Sequence, residues 1–389
     1  MTMNAFAGGA FRVAYSDDAA LDYIARHRFD RPTLVLDRAR VAAQYDALNE
    51  GLDGAHIHYA VKANPEPKII RLLVERGSGF DAASRAEIEL CLAQGARPEV
   101  ISFGNTVKKP SDIAFAYGVG VTLFAADAEA ELDKIAGHAP GARVYLRVIV
   151  ESQLADWPLS RKFGCAPSAL PALLDYAVSV GLTPVGLSFH VGSQTRQAQF
   201  WAPVLDQMSE LWHAAQDAGH ELSLLNIGGG FPAFYDQPID APRAYAAAVI
   251  AQVRARFGDV DVMAEPGRGM VAEAGHIAAE VLLVSRKSPD DLHRWVYLDI
   301  GKFSGLAETM DEAIRYRIDT PHDGGEVGPC VLAGPSCDSA DVLYEKRPVQ
   351  LPLALASGDR VVIRNCGAYT TTYASIGFNG FPPLDVIVL

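Results

Sequence analysis

The run Ile57-His58-Tyr59-Ala60-Val61, closing on Lys62-Ala63-Asn64-Pro65, decides how the rest of this chain is read. A short apolar stretch with β-branched and aromatic residues, stopped soon after by a proline, has the length and composition of a buried strand. Comparable runs recur downstream. They lie near Gly79-Phe80, at Val100-Ile101-Ser102-Phe103, Val121-Thr122-Leu123-Phe124 and Val144-Tyr145-Leu146-Arg147-Val148. Three more follow at Val185-Gly186-Leu187-Ser188-Phe189, Leu224-Leu225-Asn226-Ile227 and Val260-Asp261-Val262-Met263. Most precede an amphipathic stretch rich in Ala, Leu and Glu, which is the βα rhythm of a parallel sheet.

An earlier run, Thr33-Leu34-Val35-Leu36, reads as a lead-in, and setting it aside leaves eight strands. Eight are enough to close a barrel over residues 35–270. After Gly269 the rhythm changes to short runs between Gly- and Pro-bearing turns: Glu280-Val281-Leu282-Leu283-Val284, Trp295-Val296-Tyr297-Leu298, Arg360-Val361-Val362-Ile363-Arg364 and Asp385-Val386-Ile387-Val388. The expected fold class is α/β plus β: a (β/α)8 TIM-like barrel with a second, all-β C-terminal domain. Residues 1–34 are expected to join 271–389 in a β-sandwich or Greek-key-like domain.

A length of 389 residues suits two cores better than one. The formal net charge of −13 leaves no basic stripe with which to hold nucleic acid, and an acidic field favours a cationic substrate. No apolar run is long enough to span a bilayer, and the first thirty residues lack a basic start followed by an apolar core. Cys91, Cys165, Cys330, Cys337 and Cys366 form neither a paired framework nor a zinc pattern, so no metal is expected. A reduced, cytoplasmic setting is the expectation.

Barrel chemistry sits where strands end, and those positions carry Lys62, Asp81, Asn105, Asp127, Arg147, His190, the Gly228-Gly229-Gly230 turn and Glu265. An ammonium at the end of a buried strand is costly to desolvate. Lys62 is therefore either an amine set to condense with an aldehyde or a lysine that snorkels to the rim. Backbone N–H groups in the glycine turn can converge on a phosphate, although a tight βα turn reads the same way; the spacing is neither the Walker nor the dinucleotide pattern. In Glu265-Pro266-Gly267-Arg268, a carboxylate facing a pyridine nitrogen would keep it protonated while the arginine met a phosphate. The plain alternative is a Glu–Arg pair at the rim. Phe189-His190-Val191-Gly192-Ser193-Gln194 offers an imidazole to stack on a flat ring and a hydroxyl for a phosphate, or simply a satisfied core histidine. Together these groups describe a socket for an aromatic aldehyde bearing a pyridine nitrogen and a phosphate.

Residues 59–65, 189–194, 228–232 and 265–268 resemble the motif series of the barrel-type (alanine-racemase-fold, fold type III) pyridoxal-phosphate decarboxylases. Gly334-Pro335-Ser336-Cys337-Asp338-Ser339, Gly367-Ala368-Tyr369 and Phe378-Asn379-Gly380-Phe381 resemble the ornithine decarboxylase branch. Ser160-Arg161-Lys162-Phe163-Gly164 and Gly301-Lys302-Phe303-Ser304-Gly305-Leu306-Ala307-Glu308-Thr309 resemble its bacterial members, some of which accept lysine. The resemblance runs along almost the whole chain in one order. It implies pyridoxal 5'-phosphate held by Lys62, His190 stacked on its ring, and Glu265 at the pyridine nitrogen. Ser193, Gly230, Arg268 and Tyr369 would hold the phosphate, Gly229 and Gly267 would also touch the cofactor, and Asp81 and Arg147 would lie beside the lysine and ring. Cys337 would return a proton to the substrate carbon, and Asp338, Asp311 and Tyr344 would meet the substrate. Cys337 and Asp338 would come from the partner subunit of a head-to-tail homodimer with shared active sites, and Lys162 would pair across that interface.

The activity so implied is decarboxylation of a basic amino acid, ornithine to putrescine or lysine to cadaverine, in polyamine biosynthesis. One methylene separates the two substrates, worth only about 1–3 kcal/mol, so both stay open. Asp311 alternatively reads as a helix N-terminal residue. A diaminopimelate-type decarboxylase would be expected to carry Glu in place of Asp338, and an amino-acid racemase arginine in place of Glu265. A non-catalytic regulatory homologue should have lost the lysine, the thiol or the phosphate ligands.

Overall fold

The computed structural model describes residues 18–150 and 162–389, so Ser160 and Arg161 of the quoted motif lie outside it. The chain divides into two compact units. One comprises Ala42–Pro232 and Ile239–Met270; the other comprises residues 18–41, 233–238 and 271–389 among those described. In chain order the first strand is Thr33–Leu36 (β1), which belongs to the second unit.

The first unit is built on His56–Ala60 (β2), Gly79–Ala82 (β3), Ile101–Phe103 (β4), Leu123–Ala126 (β5), Arg143–Arg147 (β6), Thr183–Ser188 (β7), Leu224–Asn226 (β8) and Asp261–Ala264 (β9). Each pairs in parallel with the next, and β2 pairs with β9, closing the eight-stranded barrel that the βα rhythm predicts. Strands covered on both faces are largely apolar, and β3 and β5 are buried along their whole length, with Asp81 of β3 their one charged residue. The helices between them start where local chemistry dictates. Pro67, Pro110 and Pro242 open three, since a proline's fixed φ and missing N–H suit a first helical residue. Ser84 caps Arg85–Ala93 by accepting from Glu87 N, while Glu87 Oε2 accepts from Ala83 N at 2.6 Å. Inside the barrel Leu123, Ala125, Tyr145 and Met263 pack together.

The second unit continues with Gly275–Ser285 (β10), Arg294–Leu298 (β11), Ile318–Asp319 (β12), Val327–Ala333 (β13), Val349–Pro352 (β14), Arg360–Ile363 (β15) and Asp385–Val388 (β16). β10 organises them. Its first residues pair with β1 and β15, and beyond a register shift at Val281/Leu283 it pairs with β11, which leads to β13 and β14. β1 pairs along its full length with both β10 and β16, so all four of its residues, Val35 and Leu36 included, lie in this sheet. The strands β12, β13 and β14 were not expected. β13 contains Gly328-Pro329, a pair that argues against a strand until neighbours supply the pairing. Buried His276 pins the N-terminal helix of this unit. Its Nε2 lies 2.9 Å from Asp18 Oδ2, and its Nδ1 accepts from Asn365 N.

Candidate functional site

Lys62 sits in a single 3-10 turn, Val61–Ala63, at the end of β2, with its side chain half exposed. Tyr59 donates to Asn64 O at 2.9 Å and Ala60 N to Pro266 O at 3.2 Å, tying the lysine's turn to the segment that follows β9. The ammonium stands 3.5 Å from Asp81 Oδ2 on β3, a carboxylate only 5% exposed. The lysine end of this pair does snorkel, yet it snorkels into a ring of functional groups.

Glu265 follows β9 and is the most perturbed acid of that ring. Burial first, and then the Asp81 carboxylate, push it up to about 7, against the pull of Lys62, the Asn226 amide and Arg147. Asn226 Nδ2 donates to Glu265 Oε1 at 2.5 Å, and Asn226 Oδ1 accepts from Gly228 N, so one buried amide orients both the carboxylate and the glycine turn. His190 is driven down to about 3 by burial, then by Arg147 and Lys62. Its Nδ1 accepts from Gly192 N at 2.9 Å, which leaves a neutral ring with its proton on Nε2. Arg147 on β6 places its guanidinium 5.5 Å from the Phe163 ring centroid, and Lys162 stands 4.8 Å from that ring on its own account.

The donor set fits pyridoxal phosphate. A Cβ on Gly229 would stand 2.8 Å from the backbone carbonyl oxygen of Glu265 and 3.4 Å from His190 Nε2, so a bare backbone is what lets the glycine turn pass between the imidazole and the segment after β9. Gly230 adopts φ +98°, and a Cβ there would fall 2.7 Å from Gly192 O. Beyond Gly267, the buried Arg268 donates from Nη2 to Ser193 Oγ at 3.2 Å, setting a cation and a hydroxyl side by side as a phosphate requires. Asn105 and Asp127 have local work instead. Asn105 bonds Ala83 O and Val107 N, and Asp127 Oδ2 accepts from Gly164 N at 2.7 Å.

The remaining expected residues belong to the second unit. Cys337 is exposed, its N–H bonded to Asn379 Oδ1, and Asp338 is exposed at the start of a turn in which its Oδ1 accepts from Ala340 N. Tyr369 has φ +58°. Asp311 is not a helix N-terminal residue: it sits at φ +52° in a kink, highly exposed, 3.2 Å from Lys346 Nζ. Tyr344 corrects the sequence reading. It is fully buried, and its hydroxyl accepts from Tyr316 N at 2.7 Å and donates to Ile314 O at 3.1 Å, so its hydrogen-bonding capacity is spent within the core.

Three residues with a part in this geometry escaped the sequence reading. Asn226 and Glu87 were hidden as an ordinary strand end and a helix residue, though a polar side chain two residues before the glycine turn was a usable signal. Asp341 is 2% exposed and accepts from Lys302 N, Ser336 N and Ser336 Oγ, bracing the turn that carries Cys337.

A family model described as pyridoxal-dependent decarboxylase, pyridoxal binding domain, matches residues 38–272. The lysine/ornithine decarboxylase of Selenomonas ruminantium is 33% identical over 355 residues, covering 91% of this chain and 88% of that protein. Antizyme inhibitor 2 of Xenopus laevis is 34% identical over 339 residues, covering 83% and 73%. The crystal structure of lysine/ornithine decarboxylase from Vibrio vulnificus, complexed with cadaverine, matches with a TM-score of 0.84 at 32% identity, covering 95% of this chain and 97% of that one.

Proposed function

The chain belongs to the pyridoxal-dependent decarboxylase family, and from that premise we propose that it removes the α-carboxylate of ornithine, of lysine or of both. The observation that carries the reading is the pairing of an amine with a buried acid at one barrel mouth: Lys62 against Asp81, with Glu265 behind them. Bound pyridoxal 5'-phosphate supplies an electron sink for the pair released when the Cα–carboxylate bond breaks.

The chain's residues do the rest. Lys62 Nζ would be the amine that holds the cofactor's aldehyde end, with Asp81 and Arg147 beside it. Glu265 would keep a proton on the ring nitrogen; its carboxyl, pushed up to about 7 by burial and Asp81, becomes a firm anion once a further cation faces it. Neutral His190 offers a flat face to the ring. Ser193, Gly230, Arg268 and Tyr369 hold the phosphate, and Gly229 and Gly267 also touch the cofactor. Cys337 Sγ gives a proton to Cα after carbon dioxide leaves. Asp338 and Asp311 take the distal ammonium, for which Asp311 must exchange its contact with Lys346. In this reading Cys337 and Asp338 serve the partner subunit of a head-to-tail homodimer with shared active sites, and Lys162 pairs across its interface. The setting is cytoplasmic polyamine biosynthesis. Among the described residues no helix is long and apolar enough to cross a membrane.

The test is carbon dioxide release by the cofactor-loaded protein from ornithine, lysine, arginine and meso-diaminopimelate. Release from ornithine or lysine that disappears in Lys62→Ala supports the reading, and the ratio of kcat/KM values names the substrate. Release from meso-diaminopimelate alone would move the assignment there. Silence on all four with cofactor bound would favour a regulatory role, the reading that the likeness to antizyme inhibitor 2 brings.

A further inference from the structure

Beneath Lys62 the barrel interior is polar in a way the proposed mechanism does not use. Tyr145 lies on β6 two residues before Arg147, so both side chains share a face of that strand. Its ring packs with Leu123, Ala125 and Met263, yet its hydroxyl is buried with no hydrogen-bond partner among the described residues. Asp81 presents the matching defect. Oδ2 faces Lys62, while the buried Oδ1 has no such partner either. Buried polar atoms without partners are rare, and two at one place ask for a common explanation.

Gly104, just past β4, supplies it. A Cβ built there would stand 1.8 Å from Asp81 Oδ1 and 3.2 Å from the Tyr145 hydroxyl oxygen. The missing side chain thus leaves a notch that the carboxylate oxygen enters and the hydroxyl borders. A rotation of the carboxylate, or one bridging water, would complete a bond between them. Any side chain at position 104 would displace the carboxylate.

We propose that Tyr145 is a positioning residue that donates a hydrogen bond to Asp81 Oδ1 across the Gly104 notch and so holds Oδ2 of the same carboxylate toward Lys62. Burial and the nearby Glu265 and Asp81 push the tyrosine hydroxyl well above its ordinary range, so it keeps its proton and serves as a donor. The charged and titratable groups around Asp81 are Lys62 after β2, Glu265 after β9, Glu87 and Cys91 on the helix after β3, and Tyr145 itself. Arg147, on the same face of β6 as Tyr145, adds a cation. Of the neutral donors the Cys91 thiol is a weak one, whereas Tyr145 carries a hydroxyl beside the Gly104 notch. The Ser102 hydroxyl approaches as a weak donor to the Tyr145 oxygen and pulls against its upward shift, which leaves the tyrosine's own proton to be placed; Ser102 Oγ also lies 3.4 Å from Phe80 O and 3.5 Å from His58 Nδ1.

The consequence for the amine rests on the proposed cofactor role of Lys62, and the test separates the two. Tyr145→Phe, a nearly isosteric change, is compared with the parent as holoenzyme. Its thermal midpoint should fall. The pH midpoint of the bound cofactor's absorbance should move by about one unit, and kcat should drop about tenfold with KM unchanged. In a Gly104→Ala background, where the notch is filled, Tyr145→Phe should add nothing. Ser102→Ala should leave the absorbance titration where it was. If Tyr145→Phe matches the parent in spectrum and is at least as stable, the hydroxyl has no partner and the inference is overturned. Reproduction of the tyrosine effect by Ser102→Ala would overturn it equally, by assigning the proton to the serine. A parent whose absorbance survives Lys62→Ala would instead sink the cofactor role of that lysine. The stability comparison between Tyr145→Phe and the Gly104→Ala background would still report on the bond.

Discussion

At the residue level the decisive interaction is Asn226 on Glu265. The amide's hydrogen bond pulls the carboxyl down while burial and Asp81 lift it to about 7. If the anion is the form that receives the protonated ring nitrogen, cofactor affinity of the stripped protein should rise as pH increases through about 7. In Asn226→Leu the same titration should be displaced to higher pH, because a lowering influence has been removed; an unmoved curve would mean the amide does not tune this acid. Gly230 supports a second expectation. At φ +98°, with Gly192 O and Val191 Cγ2 each 2.7 Å from where a Cβ would stand, Gly230→Ala must strain the backbone and crowd the turn. Its affinity for pyridoxal phosphate, measured by absorbance titration, should fall by tenfold or more, on the order of 1.4 kcal/mol. Lys62, Glu265 and Arg268 were legible because their chemistry is rare at strand ends. Asn226 was not, because an asparagine matters here only through the atom it faces.

Among the elements, two buried charges act as fasteners. Lys108 has no exposed side-chain surface. It donates to Asn105 O and Ala125 O and pairs with Glu131 at 3.0 Å, joining the loop after β4, the strand β5 and the following helix. Burial lowers it to about 8, and the paired Glu131 opposes that shift. Lys108→Met should cost about 2–4 kcal/mol, near the lower end for breaking a buried pair, because Lys134 still neutralises Glu131 at 2.5 Å. Denaturant unfolding would check this, and a cost under half a kilocalorie per mole would mean the pair is idle. Asp341 braces the Cys337 turn through three accepted hydrogen bonds. Asp341→Ala should loosen that turn, and alkylation of Cys337 should speed up several-fold while the four buried cysteines stay inert. The barrel strands were readable one by one, since continuous burial imposes an apolar run. β13 was not, because Gly328-Pro329 disguises a strand whose pairing partners lie elsewhere in the chain.

For the whole molecule, pH dependence of stability follows from groups spread over both units. His58 and His190 are held down to about 4 and 3, and His276 is lowered as well, in each case chiefly by burial. A histidine depressed in the fold stays neutral there but takes a proton when unfolded, so its contribution is present above about pH 6.5 and is lost as pH falls below it. Glu265 works in the opposite direction: raised in the fold, it carries a proton between about 4.5 and 7 that the unfolded chain lacks. Asp299, raised to about 6, and Glu87, also raised, act in the same sense as Glu265 and offset much of the histidine contribution. In a Glu265→Gln, Asp299→Asn background, which removes two of these opposing acids, the thermal midpoint without added cofactor should drop from about pH 6.5 toward 4.5, and a flat profile there would show these histidines to be solvated. By itself the sequence determined the barrel, its eight strands and the chemical kinds at their ends, because burial on both faces and a fixed βα period leave a pattern along the chain. Only the tertiary structure decided which polar groups meet: Asn226 with Glu265, Tyr145 and Asp81 at the Gly104 notch, Tyr344 spent in its own core. Hydrogen bonds and pKa shifts depend on separations of a few ångströms between residues tens of positions apart, and no local pattern encodes those distances.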